Sequence, residues 1–195
     1  MPADPTWEIF LHVRIIMGVV IGLSVARLLN GASRFVQHPS VTRISWIHFG
    51  WVVFMLVSLL HFWWWEFWLS AIKNWTFEIY LFLFAYTIIL YLLCTLLFPD
   101  DIKEYSGYDD YFTSRRKWFF GLLGLTFVLD FGDTLVKGAS HLDRFGVEYL
   151  GRTAIYLVLC GIAMITPNRR FHAILVIGSL IYQSTWILRH FETLN

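Results

Sequence analysis

The chain contains few charged residues. Asp, Glu, Lys and Arg make up only 15% of its 195 residues, whereas a soluble domain carries about 25%. Apolar residues account for 57%, and the mean hydropathy is +0.60. This composition excludes an ordinary soluble globular domain. The net charge of +1 also argues against nucleic-acid binding, which needs a basic face.

Cysteine is scarce as well. Cys94 lies near one end of the third apolar stretch and Cys160 near the middle of the fifth, so the two occupy different depths. A disulfide requires Cα atoms within about 7 Å of each other. We therefore interpret both residues as free thiols that contribute to packing.

Basic residues are missing from the N-terminus. The first eight residues, MPADPTWE, include Asp4 and Glu8 but no Lys or Arg. A signal peptide begins with a positively charged region. We therefore expect the first apolar stretch to be retained as a helix.

What the chain does contain is six long apolar stretches. Each is about 18–24 residues long, the length with which an α-helix crosses ~30 Å of hydrocarbon. We predict an all-α, polytopic membrane helical bundle with six transmembrane helices in three antiparallel hairpins. Residues 1–195 would form a single integral membrane domain. The stretches are Phe10–Leu29, Ile44–Trp65, Trp75–Phe98, Trp118–Val136, Tyr149–Thr166 and Phe171–Arg189.

Lys and Arg are distributed unevenly between the two sides. Nine lie on the side of loops 1, 3 and 5, and five lie on the other side. The positive-inside rule then predicts that loops 1, 3 and 5 are cytoplasmic and that both termini are outside. We expect a multi-pass protein of a cell membrane, of the bacterial inner-membrane kind. The nine are Arg27, Arg34, Arg43, Lys103, Arg115, Arg116, Lys117, Arg169 and Arg170; the five are Lys73, Lys137, Arg144, Arg152 and Arg189.

Loop 3 is the longest connection and runs from Pro99 to Lys117. Its acidic part precedes its basic part. Asp109 and Asp110 are placed to begin a turn of helix that continues into helix 4, because carboxylates favour helix N-termini.

Helix 4 carries charged residues at transmembrane depth. One stripe of this helix contains Thr126, Asp130, Asp133, Thr134 and Lys137. Asp130 lies seven residues before Lys137, which is about 10 Å along the helix. A carboxylate at that depth must face the bundle interior and find a partner. Lys137 is predicted to pair with Asp133 and to extend outward to the interface.

Arg14 of helix 1 is the predicted partner of helix 4. It lies at nearly the depth of Asp130 and shares a face with Gly18 and Gly22. Small residues of this kind let another helix approach closely. We therefore predict that Arg14 lies within salt-bridge or one-water reach of Asp130 or Asp133.

Further polar residues collect in the same outer layer. The tryptophans that follow His61 are interpreted as an aromatic belt at the outer interface. The predicted polar interior cluster consists of Arg14, His61, Asp130, Asp133 and Lys137, with a secondary set of His12, Glu66, Glu78 and Arg152.

The cluster lacks the residue spacing of known catalytic or metal centres. No HExxH, CxxC or HxxxH motif occurs, so no metal site is predicted. His48 and His61 are thirteen residues apart and would point about 140° away from each other on a helix, which disfavours paired haem ligands. Ser58 has no motif that would activate it as a nucleophile. We predict no cofactor.

Three function classes remain open. The first is a channel or transporter that uses the interior charges, and it is the preferred hypothesis because intramembrane ionisable groups mark functional sites. The second is a structural or regulatory subunit of a membrane complex, whose ion pairs only hold helices together. The third, an enzyme acting on a lipid or quinone, is less favoured. The expected partners are the lipid bilayer and either a second copy or another membrane protein.

The charge bias predicts a testable topology. Single cysteines introduced into loop 3 and at the C-terminus of a chain lacking Cys94 and Cys160 should be labelled from opposite sides of the membrane. An impermeant thiol reagent added to intact cells should reach only the C-terminal cysteine. Labelling of loop 3 under the same conditions would reverse the orientation.

Overall fold

The structure is a computed structural model that describes residues 5–37 and 44–190. Its described part is all-helical, with six helices long and apolar enough to span a membrane, so the chain is a multi-pass membrane protein. A short 3-10 helix follows the second of them. The elements are α1 (Pro5–Gln37), α2 (Trp46–Trp65), η1 (Glu66–Ala71), α3 (Phe77–Leu97), α4 (Tyr108–Val136), α5 (Ala139–Ile165) and α6 (Arg169–His190).

Side-chain caps begin several of these helices. The Ser45 hydroxyl accepts a hydrogen bond from the His48 amide at the start of α2, and Thr76 accepts one from Ile79 at the start of α3. At the start of α6, Asn168 accepts from the amide of Arg170 at 2.9 Å. These caps satisfy amides that have no partner within the helix.

Helix α4 begins earlier than its apolar stretch indicates. It starts at Tyr108 rather than at Trp118, with Asp109 and Asp110 in its first turn. The prediction that these residues belong to a turn that runs into helix 4 is confirmed, but neither is the N-cap, which is Gly107. Gly107, with φ 139°, reverses the chain immediately before it, a conformation that glycine adopts without strain.

Helix α5 is broken near its start. Gly146 has φ 59° and ψ −156°, so the segment before it is set at an angle to the long segment that follows. The apolar, membrane-length part runs over Phe145–Ile165. The break positions Tyr149 and Arg152 in the first turns of that long segment.

The helices pack both on sequence neighbours and on helices that are distant in the chain. Helix α1 packs chiefly on α3, α2 on α6, and α4 on both α3 and α5. Helices α5 and α6 are joined by a short turn and yet contact each other least among the packed pairs. The last two helices therefore form a splayed pair rather than a closely packed hairpin.

The two ends of the bundle differ in chemistry. We call the end that holds η1 and the start of α5 the η1 end, and the end that holds the loop between α3 and α4 the loop-3 end. Buried aromatic rings fill the half of the bundle nearer the loop-3 end, and neighbouring rings pack edge to face at 5–6 Å. The rings of this aromatic layer belong to Phe35, His48, Trp51, Phe98, Tyr108, Phe112, Phe119, Phe120 and His172.

The close approach of α1 to the end of α3 generates a testable prediction. A Cβ added at Gly31 would lie 2.2 Å from the buried Phe98 ring, whereas one added at Gly22 meets nothing within 4 Å. We expect Gly31→Ala to destabilise the fold by about 1–3 kcal/mol, because the aromatic layer must shift. The control Gly22→Ala should be neutral or stabilising, since alanine favours helix. Thermal unfolding in detergent micelles measures both, and equal behaviour of the two variants would contradict the packing.

Candidate functional site: a buried charge cluster at the η1 end

Five charged residues meet inside the bundle near the η1 end. We refer to Glu66, Asp130, Asp133, Lys137 and Arg152 as the charge cluster. They come from the turn after α2, from the last two turns of α4 and from α5. Ion pairs join them in two groups, one around Lys137 and one around Arg152. All five were predicted to lie in one layer from sequence depth, with Glu66 and Arg152 in the secondary set, and the structure adds their pairing.

Lys137 holds two carboxylates. Its Nζ donates to Asp133, one turn earlier on α4, and to Glu66 Oε1 at 3.2 Å. The predicted pair of Lys137 with Asp133 is confirmed. The predicted extension of Lys137 to the interface is wrong, because its side chain is only 1% exposed. Glu66, which lies in the turn after α2, pairs with the same ammonium and completes this group of charges.

The turn from α2 into η1 brings Glu66 inward. The chain changes from α-helix to 3-10 helix at Glu66, and the side chains of both Glu66 and Leu69 are buried. Trp65, the preceding residue, donates from its indole Nε1 to Asp133 Oδ2 at 2.8 Å. The predicted aromatic belt therefore does not include every tryptophan near His61. Trp65 lies in the interior and donates a hydrogen bond there.

Arg152 is the partner of Asp130. Its guanidinium donates to Asp130 Oδ2, and the Tyr149 hydroxyl donates to the same oxygen at 2.9 Å. Thr134 lies 2.8 Å from that hydroxyl. The guanidinium also packs over the rings of Tyr149 and Trp186, at 4.8 and 5.1 Å, where the π face favours a cation. The Arg152 side chain is nine-tenths buried or more, so this pair is shielded from solvent.

Arg14 is not part of the cluster. The predicted salt bridge with Asp130 or Asp133 does not form, because those acids contact Arg152 and Lys137. The Arg14 guanidinium instead lies 4.3 Å from the Trp63 ring and donates to the Trp63 carbonyl at 3.4 Å. The indole sits against Gly18. The small residues of α1 thus accommodate an aromatic ring from α2 rather than the backbone of α4.

The remaining predicted residues divide into two groups. His61 faces the interior, where its Nδ1 lies 3.1 Å from the Gln183 amide nitrogen. His12 and Glu78 are exposed. Neither forms an ion pair with a residue of the charge cluster.

Sequence reasoning missed Tyr149 and Gln183. No motif marks either residue. Tyr149 lies three residues before Arg152 and so shares its face of α5. That spacing is the one signal from which Tyr149 could have been assigned to the site, provided that Arg152 was known to face inward.

A small cavity lies beside the Arg152 pair. Its volume is about 60 Å³, enough for a few water molecules. Apolar side chains of α2, α3 and α4, among them Met55, Leu90 and Leu123, form much of its wall. Its polar lining consists of Ser58, His61, Thr126, Asp130, Arg152 and Gln183.

Two described histidines hydrogen-bond to backbone carbonyls in the aromatic layer. Among the described side chains, no three of His, Cys, Asp and Glu converge in a way that would hold a metal ion. His48 and His172 each place Nε2 against a backbone carbonyl, of Leu97 and Thr166 respectively. Those nitrogens are therefore already occupied.

The Arg152–Asp130 pair predicts strong non-additivity. Arg152→Met leaves a buried carboxylate without its cation, which typically costs ~3–5 kcal/mol. The double variant with Asp130→Asn should recover a large part of that loss, because both charges are then gone. Arg189→Met is the control, since it breaks an exposed pair with Glu148 and such pairs contribute about 0–1 kcal/mol. Unfolding in detergent measures all four, and additive effects of the two substitutions would contradict the pair.

Comparison with family models, with curated proteins and with solved structures finds no match to this chain. The function is therefore argued from the geometry of the site.

Proposed function

We propose that this protein is a small membrane transporter or channel for protons, in which the charge cluster binds and passes the proton. The proposal rests on one observation: two buried carboxylates form ion pairs with the same lysine. Lys137 contacts both Glu66 and Asp133, and both carboxylates are fully buried. With all three ionised, one negative charge remains in excess, and a proton neutralises it at little structural cost.

Unsatisfied oxygens support a proton-binding role. Glu66 Oε2 and Asp133 Oδ1 are buried and accept no hydrogen bond. A buried acceptor without a partner costs about 1–3 kcal/mol, and more when it is charged. Protonation of one carboxylate creates an O–H donor in the space between these groups and removes part of that cost.

The volume of the cavity beside Asp130 limits the size of the species that can be transported. A volume of about 60 Å³ admits water but excludes an organic solute of ordinary size. Asp130 and Arg152 of the charge cluster lie on its wall together with His61. These features support passage of protons through water and side chains rather than transport of a metabolite.

The aromatic layer is the barrier in this mechanism. It fills the half of the bundle nearer the loop-3 end, where Trp51 and the Phe119 and Phe120 rings pack against one another. Transport therefore requires a second conformation in which this layer opens.

Reconstitution tests the proposal. Vesicles containing the protein and an internal pH dye should dissipate a pH gradient faster than protein-free vesicles, and Asp130→Asn should reduce the rate to that of protein-free vesicles. The matched control is Asp100→Asn. Asp100 is exposed on the loop-3 side, where the hydrogen bond from Arg27 lowers the pKa of its carboxyl, so the change removes a surface carboxylate and should leave the rate unaltered.

The main alternative predicts a different result. The ion pairs link α4 to α5 and to η1, which also suits a structural or regulatory subunit of a membrane complex. In that case the wild-type protein shows no flux, and Asp130→Asn lowers only the unfolding temperature. Absence of flux from well-folded, oriented protein rejects transport in favour of the subunit.

A further inference from the structure

A charged pocket lies at the loop-3 end, away from the charge cluster. Its volume is about 250 Å³. The starts of α2, α4 and α6 and the turn between α5 and α6 form its walls. Three wall residues are buried, namely Ile47, Phe112 and His172. The others are Asp109, Asp110, Thr113, Arg116, Pro167 and Arg169.

The pocket lies at the depth of lipid headgroups. Helix α4 has 29 residues and is therefore about 43 Å long, whereas the hydrocarbon of a bilayer is ~30 Å thick. Its apolar stretch begins at Trp118, which is 66% exposed and belongs to a residue type that favours the membrane interface. Arg116 lies two residues before Trp118, and Arg169 lies two residues before Phe171, where the last apolar stretch begins. Both guanidinium groups therefore belong to the headgroup region.

Two of the four charged wall residues are already paired with each other. Arg169 Nη2 lies 3.0 Å from Asp109 Oδ2. Among the described residues, neither Arg116 nor Asp110 takes part in an ion pair. Arg116 Nη1 donates to the Thr113 carbonyl of its own helix at 2.6 Å, and the Asp110 carboxylate accepts a backbone amide hydrogen bond at 3.1 Å. The pocket thus offers a ligand one cation and one anion.

These two charges are ordered along α4. Asp110 precedes Arg116 by six residues, which is about 9 Å of helix. The guanidinium therefore lies nearer the hydrocarbon, and the carboxylate lies nearer the water. A phosphoethanolamine headgroup has the complementary order, because its phosphate is attached next to the acyl chains and its ammonium follows the phosphate. A guanidinium matches the geometry of phosphate oxygens, and a primary ammonium has three N–H donors for a carboxylate.

We propose that this pocket binds the headgroup of phosphatidylethanolamine, with Arg116 bound to the phosphate and Asp110 to the ammonium. A purely anionic headgroup fits less well, because Asp110 and Asp109 lie on the same wall and repel it. The proposal does not rest on proton transport, since the pocket lies at the other end of the bundle from the charge cluster.

A lipid competition experiment tests the proposal. The full chain in detergent micelles is mixed with equal amounts of phosphatidylethanolamine, phosphatidylcholine and phosphatidylglycerol of identical acyl chains, and native mass spectrometry counts the bound lipids. Phosphatidylethanolamine should be bound about two- to fivefold more than either of the others, which is the range of one exposed ion pair. Phosphatidylcholine has the same charges but no N–H donor, and phosphatidylglycerol has no ammonium.

Substitutions assign the two ends of the headgroup. Arg116→Gln should abolish the excess of phosphatidylethanolamine, because the phosphate loses its cation. Asp110→Asn should instead shift the preference toward phosphatidylglycerol, because the cation then remains without the anion. The ratio of bound lipids is measured on folded protein, so a change in stability does not alter it.

Two controls come from the same region of the chain. Lys117→Gln removes the next cation along α4, which is exposed and does not line the pocket. Asp101→Asn removes an acid of loop 3 whose contact is with Lys103. Both variants should keep the lipid preference of the wild-type protein.

Three results would overturn the proposal. One is equal binding of the three lipids by the wild-type protein, and another is an excess of phosphatidylethanolamine that survives Arg116→Gln. The third concerns the source of the phosphate. Water-soluble glycerophosphoethanolamine has the same headgroup without acyl chains and should not displace the lipid at equal concentration. Displacement would assign the pocket to a phosphate-bearing solute rather than to a lipid.

Discussion

The structure of the η1 end depends on the ion pairs that Lys137 forms. Charge is expensive inside a membrane unless it is paired, and here one ammonium serves two carboxylates from different elements. Pairing with Glu66 draws the turn after α2 inward, and pairing with Asp133 keeps the last turn of α4 beneath it. Trp65 then reaches Asp133 from the same turn. Loss of the ammonium would leave both acids buried without compensation.

The rest of the bundle divides according to the same constraint. Polar side chains gather near the η1 end because each supplies a partner that another needs, as Tyr149 and Arg152 do for Asp130. The other half has few such groups and is filled by aromatic rings, which bury large areas at little conformational cost. The consequence is a bundle in which a small polar cavity lies beside Asp130 and Arg152, whereas the half nearer the loop-3 end is filled by aromatic rings.

Arg152 combines two kinds of contact in one side chain. Its guanidinium donates to Asp130 and also packs over the rings of Tyr149 and Trp186. A planar guanidinium can stack on aromatic faces while it pairs with a carboxylate, which an ammonium does less well. The pair of Arg152 with Asp130 therefore also links α4 and α5 to the aromatic rings around it.

The sequence by itself determined the fold class, the number of membrane helices and the layer in which the charges lie. Hydrophobic length and residue depth decide these features, and both are properties of a single helix. The pair of Lys137 with Asp133 was also predictable, since it lies within one turn of α4. Only the tertiary structure decided that Asp130 pairs with Arg152 and that Arg14 stacks on Trp63. Partners on different helices depend on how each helix is rotated and which helices are neighbours. Packing of the whole bundle sets both, and no local pattern records them.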